Sequence, residues 1–369
     1  MAVETNAKTI SDTLDRRLEA TFPDREQVVR LLAQGKPLRV YLGIDPTGPL
    51  HVGHLVPLKF LNDLHKLGHQ PVIVIGDFTA TIGDPSGKDT ARVALSEEEV
   101  REHMQGYLEQ IKKILPEFDV EYNSKWLKPL TLGDVLRLAS HVTVQQMIAR
   151  DMFQTRLTDE KPIYLHEFLY PLMQGYDSVA MEIDGEVGGN DQTFNMLVGR
   201  DLEREYVKKE KIVFATKLLV DPASGKKMSK TEGNFIALTD TPQEIRRKIL
   251  NFPDELIPTV FRLCTDVSLE TVPADPRQAK EQLANDLVAV LHGTEAIEDA
   301  RRPVIKVSHG ESLAVFLKVS GATSSVASAK DLIDQGAVKI NGEVSTRWDQ
   351  EIRAGDEIQV GKGKFFKVT

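Results

Sequence analysis

The chain has 369 residues, 41% hydrophobic, 27% charged and 6% aromatic, which suits two or three compact units and at least one large core. A formal net charge of −9 excludes a general nucleic-acid coat, which must neutralise many phosphates, but leaves room for a local basic surface that reads one RNA. The single cysteine, Cys264, excludes an intramolecular disulfide framework and a cysteine-rich zinc site. No apolar run approaches the roughly 18 residues of a membrane span. The opening MAVETNAKTI lacks the layout of a secretory signal. A reducing, cytoplasmic setting away from membranes is expected.

Residues 11–35 show helical spacing, broken at Phe22-Pro23 and closed by Gly35. The segment 38–44 reads as a buried strand, followed by the loop Asp45-Pro46-Thr47-Gly48-Pro49. A helix then runs from about 51 to 67 and is capped by Gly68, and a second strand follows at 71–76. Strand, turn, helix and strand make a βαβ unit, which predicts a parallel sheet with helices on both faces. The alternation continues to about 220, with helices near 96–115, 131–155, 164–182 and 191–206, and strands near 119–122, 184–188 and 211–220. From about 241 to 302 the pattern is helical alone, and a hinge is expected around 303–310. The remainder starts helical and ends in strands at 337–342, 356–360 and 364–368. The predicted fold class is α/β, a Rossmann-like doubly wound parallel sheet over 1–225. An all-α unit over 226–308 and a small α+β unit over 311–369 follow.

Two elements suit a nucleotide. His51-Val52-Gly53-His54 follows a strand and opens a helix, where exposed N–H groups and the positive dipole end attract anions. Lys226-Lys227-Met228-Ser229-Lys230-Thr231 places several cations and two hydroxyls in a loop after the last strand of the α/β region. Either alone is ordinary, since a basic loop is usually solvated surface. Together, in this order and context, they resemble the HIGH and KMSKS signatures of class I aminoacyl-tRNA synthetases.

The amino-acid side of the site is more specific. Tyr170, Gln174 and Asp177 recur at i, i+4 and i+7, so on a helix they share one face. Phe168, Leu169, Leu172 and Met173 in the same stretch imply burial, and buried polar groups need partners. The stretches 41–47, 83–88, 170–177 and 188–192 closely resemble those of bacterial tyrosyl-tRNA synthetases of the shorter subgroup, and the likeness spans nearly the whole chain. That resemblance implies that Tyr41 and Asp177 bond the phenolic hydroxyl of L-tyrosine. It implies that Asp84, Tyr170 and Gln174 hold the α-ammonium and that Gln192 sits near the carboxylate. Gly43, Asp45, Gly189 and Asp191 would line adenosine and ribose, and His54 the ribose. Thr47, His51, Lys88, Arg92, Lys227, Lys230 and Thr231 would meet the pyrophosphate end of ATP, and Gly53 and Met228 would also bind ATP. Leu42 departs from relatives that carry a small thiol-bearing residue near the ribose.

The implied reaction is activation of tyrosine with ATP, with Mg²⁺ accompanying the nucleotide, and transfer to tRNA(Tyr). No metal held by the protein alone is expected. The tail resembles the RNA-binding fold named after ribosomal protein S-four, with Lys330, Lys339, Arg347, Lys362 and Lys364 as candidate RNA contacts, and 226–308 would read the anticodon. Family members are homodimers, which points to an interface around 126–160 containing Val142, Val144, Met147, Ile148, Met152 and Phe153. Two rival readings stand beside this one: a tryptophanyl-tRNA synthetase, and a non-catalytic RNA-binding scaffold descended from a synthetase.

Overall fold

The computed structural model describes residues 2–86, 95–220, 235–301, 304–305, 311–361 and 364–368. Contacts divide the chain into two units: Met1–Thr239 with Pro253–Pro273, and Asp240–Phe252 with Ala274–Thr369.

In the first unit, runs such as Gln-Pro-Val-Ile-Val-Ile and Ile-Val-Phe-Ala-Thr have the unbroken apolar character of strands covered on both faces. Six strands form its sheet: β1 (Leu18–Phe22), β2 (Arg39–Ile44), β3 (Gln70–Ile75), β4 (Asp119–Tyr122), β5 (Gly185–Gly189) and β6 (Ile212–Thr216). Their order is β1-β6-β5-β2-β3-β4. All neighbours are parallel except β1, which runs antiparallel to β6. The chain winds from β2 towards one edge, then from β5 towards the other. At that reversal the connections leave β2 and β5 in opposite directions, and a crevice opens beyond their carboxyl ends.

The helices of this unit are α1 (Ala7–Arg17), α2 (Arg25–Leu32), α3 (Val52–Lys66), α4 (Glu97–Met104), α5 (Tyr107–Lys112), α6 (Ser124–Leu127), α7 (Leu132–Ala139), α8 (Val144–Ile148), α9 (Asp151–Thr158), α10 (Tyr170–Met181) and α11 (Thr193–Tyr206). The strand β1 lies where the sequence suggests one broken helix over 11–35. Pairing with the open edge of β6 outweighs a weak local preference. The predicted helix at 96–115 is two helices parted by Gly106, whose φ is +75°. The predicted helix at 131–155 is three, because Thr131 and Thr143 each start a new one with a capping box.

The chain then forms α12 (Pro242–Leu250) in the second unit, and α13 (Ile257–Cys264) packs back in the first. Arg17, 1% exposed, fastens α13. Its guanidinium donates to Leu263 O at 3.0 Å and Thr265 O at 2.7 Å, and pairs with Asp63 on α3 and with Asp266 at 2.7 Å. Lys59 also reaches Asp266, at 2.9 Å. These bonds explain why 253–273 belongs with the sheet, although its sequence continues the helical pattern.

In the second unit α12 packs with α14 (Pro276–His292) and α15 (Ala296–Ala300). Beyond them lie β7 (Val304–Ile305), α16 (Leu313–Val319), α17 (Val326–Asp334), β8 (Val338–Ile340), β9 (Glu343–Val344), β10 (Glu357–Val360) and β11 (Lys364–Val368). The five strands run β7-β11-β10-β8-β9 over a core that includes Leu313, Phe316, Ile333, Ile358 and Phe366. β7 and β9, two residues each, are too short to show in the sequence. No helix among the described residues is long and apolar enough to cross a membrane.

Removing Arg17 leaves the mostly buried Asp63 with only Lys66, at 3.8 Å, whereas the half-exposed Asp266 keeps Lys59 at 2.9 Å. Arg17→Ala is therefore expected to lower the unfolding free energy of the first unit by about 3 kcal/mol, the lower end for breaking a buried pair. Urea unfolding of both proteins measures this.

Candidate active site

A cavity of about 630 Å³ lies at the carboxyl ends of β2 and β5. Its nucleotide-like side is built by Gly43, Asp45, Thr47, His51, Gly53 and His54. His51 caps α3: Gly53 N–H donates to His51 Nδ1 at 3.1 Å, and His51 N–H donates to His54 Nδ1 at 3.1 Å. Both Nδ1 atoms therefore accept, so the neutral rings carry their protons on Nε2. The N-terminus of a 15-residue helix faces this cavity and offers anions its N–H groups and dipole.

Asp45 is held by Thr79 Oγ1, donating at 2.7 Å, and by the Tyr170 hydroxyl, donating at 2.9 Å. Gly76 makes this possible, since a Cβ there would lie 1.9 Å from Asp45 Oδ1. The loop after β2 is gripped from α4 and α5. His103 Nδ1 lies 3.1 Å from Pro46 O, and the Tyr107 hydroxyl donates to Gly48 O.

The other side is lined by Asp84, Tyr170, Gln174, Asp177, Gly189, Asp191 and Gln192. Asp177, 3% exposed, accepts from Trp126 Nε1 at 2.7 Å and from Asn123 Nδ2 at 3.3 Å. Burial pushes its carboxyl well above the usual carboxylate range; the two hydrogen bonds oppose that shift and the nearby Glu186 and Asp45 charges add to it. Burial, with Asp45 and Asp84 alongside, likewise raises the Tyr170 phenol. Asp84 accepts from Gln192 Nε2 at 2.8 Å and from Ser86 N–H at 2.9 Å.

A family profile described as tRNA synthetases class I (W and Y) matches residues 33–308, and one described as S4 domain matches 312–369. The tyrosine–tRNA ligase of Carboxydothermus hydrogenoformans is 40% identical, covering 97% of this chain and 98% of its own. That of Moorella thermoacetica is 41% identical over 96% of this chain and 94% of its own. The chain belongs to the tyrosine–tRNA ligase family. Among solved structures, a C-terminally truncated mitochondrial tyrosyl-tRNA synthetase of Aspergillus nidulans has a TM-score of 0.67 at 22% identity, covering 80% of this chain and 91% of that one. At that identity it supports the fold alone.

The histidine signature and the polar face of α10 meet in this cavity, and Tyr41 stands apart from its lining. Tyr41, fully buried, is packed among Val72, Val74, Met181 and Ile183 and is not among the residues that line the cavity. Its hydroxyl lies 3.1 Å from Ser178 Oγ, one residue beyond Asp177. The apolar side chains around Tyr41 favour burial of its ring, and Ser178 satisfies the hydroxyl that burial would otherwise orphan. Lys88, Arg92, Lys227, Met228, Lys230, Thr231 and Lys362 lie outside the described residues. Lys364 belongs to β11, but its side chain also lies outside them.

In the second unit, Lys330 Nζ sits 3.7 Å from the Trp348 ring centroid. Arg347 pairs with Asp349 at 3.2 Å, and Lys339 is half-buried in β8. Met147, Met152 and Phe153, expected near an interface, are buried within this chain, whereas Val144 is exposed.

The sequence reading missed Asn123, Trp126 and Glu186. Only Glu186 carries a sequence signal, a charge inside the otherwise apolar strand β5. Glu203 on α11 is fully buried, and neither of its oxygens has a hydrogen-bond partner among the described residues. Burial pushes its carboxyl up to about 8, and Lys211 and Lys209 only partly offset this. The folded protein thus holds a proton that the unfolded chain releases near pH 4.5, the ordinary value for a glutamate. This contribution is fully present below that pH and is lost as pH rises towards 8. Melting of the parent is expected to fall over that window, and Glu203→Gln should flatten the fall; thermal unfolding at stepped pH shows it.

Proposed function

We propose that this cleft binds L-tyrosine and ATP side by side, forms tyrosyl-adenylate and pyrophosphate, and then passes tyrosine to the 3′ end of tRNA(Tyr). The observation that carries the reading is the meeting, in one cavity, of a histidine-capped helix N-terminus and the polar face of α10.

Tyrosine's own carboxylate attacks the α-phosphorus. One O–P bond forms, the bond to the bridging oxygen breaks, and pyrophosphate leaves. The nucleophile comes with the substrate, so the chain positions the reactants and meets the charge that grows on the leaving group. His51, Thr47 and the start of α3 serve that role. By sequence so do Lys227, Lys230 and Thr231. Asp84, Tyr170 and Gln174 take the α-ammonium, and Gln192 stands near the carboxylate. Asp45, Gly189 and Asp191 take the nucleoside, with His54 near the ribose. Mg²⁺ arrives with the triphosphate. Among the described residues no group of three or more His, Cys, Asp or Glu is placed to hold a metal ion.

Asp177, with Tyr41 behind it, reads the phenolic hydroxyl. A site built to bond that hydroxyl leaves buried polar groups unpaired when phenylalanine enters, an effect for which tyrosyl-tRNA synthetases are themselves the standard illustration. Residues 226–308 read the anticodon, and the tail touches the tRNA through basic residues such as Lys330, Lys339 and Arg347. The protein works in the cytoplasm as a homodimer. Leu132 and Leu136, 75% and 62% exposed on one face of α7, support an interface there, as do exposed Val144, Leu157 and Leu165.

ATP–pyrophosphate exchange is expected with tyrosine and not with tryptophan or phenylalanine; exchange with tryptophan alone would sink the reading. Asp177→Asn should cut the tyrosine-to-phenylalanine ratio of kcat/KM by about tenfold or more, the loss typical of disturbing a buried hydrogen bond to the substrate.

Leu136→Glu should convert a dimer into a monomer, read by light scattering on a sizing column. An unchanged mass would remove α7 from the interface.

A further inference from the structure

Beneath the amino-acid side of the cleft lies an ammonium with no exposure to solvent. Lys211, immediately before β6, is 0% exposed. Its Nζ donates to Ser178 Oγ at 2.7 Å and pairs with Glu186 Oε2. The space is built for it: a Cβ on Gly199 would lie 2.5 Å from that nitrogen.

Two chains of hydrogen bonds leave this point. Glu186, 2% exposed and lining the cavity, accepts from Gln174 Nε2 at 3.0 Å. Gln174 Oε1 accepts from Asn195 Nδ2 at 2.9 Å, and the same amide donates to Gln192 Oε1 at 2.9 Å. Gln192 Nε2 ends the chain on Asp84. In the other direction Ser178 Oγ meets the Tyr41 hydroxyl, beside Asp177. One cation therefore connects the groups assigned to the α-ammonium with those assigned to the phenol.

The direction of these bonds follows from Lys211. An ammonium only donates, so Ser178 must accept from it. Glu186, paired with it, must accept through both oxygens, which fixes the Gln174 amide with nitrogen towards Glu186 and oxygen towards Asn195.

We propose that Lys211 is a positioning residue for the amino-acid substrate: it keeps Glu186 an acceptor and thereby sets the orientation of Gln174, Gln192 and Tyr41, governing tyrosine affinity without touching ATP. This rests on the reading of the cleft given under Proposed function.

Exchange kinetics on the full chain separate the two. Absence of tyrosine-dependent exchange in the parent overturns the reading of the cleft itself. With an active parent, Lys211→Met is expected to raise KM for tyrosine by about tenfold or more, while kcat and KM for ATP stay within about threefold. The double variant Lys211→Met with Glu186→Gln should return KM for tyrosine to within about threefold of the parent, since a neutral, shape-matched pair can replace a buried ion pair. An unchanged tyrosine KM in Lys211→Met overturns the proposal, as does a parallel loss in kcat and both KM values. Should the single variant fail to fold, the double decides: a parent-like tyrosine KM supports the proposal, and a raised KM or an unfolded double overturns it.

Discussion

Four carboxylates, those of Asp45, Asp84, Asp177 and Glu186, line one cleft, and each must be given donors before the chain can fold around it. Asp177 and Glu186 are buried and Asp45 and Asp84 partly so, and an ionised carboxylate left there without donors would cost a large share of a marginal stability. The donors come from scattered places: Thr79 and Tyr170 for Asp45, Gln192 and the Ser86 amide for Asp84, Trp126 and Asn123 for Asp177, Lys211 and Gln174 for Glu186. Most of the site's architecture is the solution to that problem. A cleft so rich in acceptors suits a ligand that brings its own cation, and an amino acid's α-ammonium is such a group.

The sheet supplies the convergence. Because its winding reverses between β2 and β5, the loop holding Asp45 and the turn holding Asp191 open at the same edge. The helix α10 crosses there with its polar face inward. It packs closely on α11 because Gly175 and Gly199 face each other, a Cβ on either falling 3.1 Å from the other's Cα. That close approach leaves the gap into which Lys211 rises. Packing, electrostatics and specificity are here consequences of the same small residues.

The βαβ core, the histidine-capped turn and the α10 triad were legible because each rests on local periodicity or on motif residues only a few positions apart. The residues assigned to the cleft meet there, apart from Tyr41, which the fold sets behind its wall, and those outside the described residues. What escaped were features set by distant partners. β1 forms only because β6 has an open edge. Residues 253–273 are tied to the sheet unit by Arg16, Arg17 and Lys59, and no run of sequence reveals that a side chain at 17 will meet carbonyls near 264. Trp126 and Asn123 look like ordinary loop residues until Asp177 is placed beside them.

Glu186 and Lys211 show how such a pair could have been found. A glutamate in a glycine- and valine-bearing strand, and a lysine heading a fully apolar one, each contradict the binary pattern of their element. Such a residue is either misassigned or matched, and adjacent parallel strands such as β5 and β6 are where a match is geometrically available. Breaks in the pattern on neighbouring central strands therefore point to a buried pair. A pair buried beside a cleft costs more than an apolar substitute would, and that excess asks for a functional reason. Here the cost is met where the substrate must be oriented, with Glu186 lining the pocket and Lys211 buried behind it.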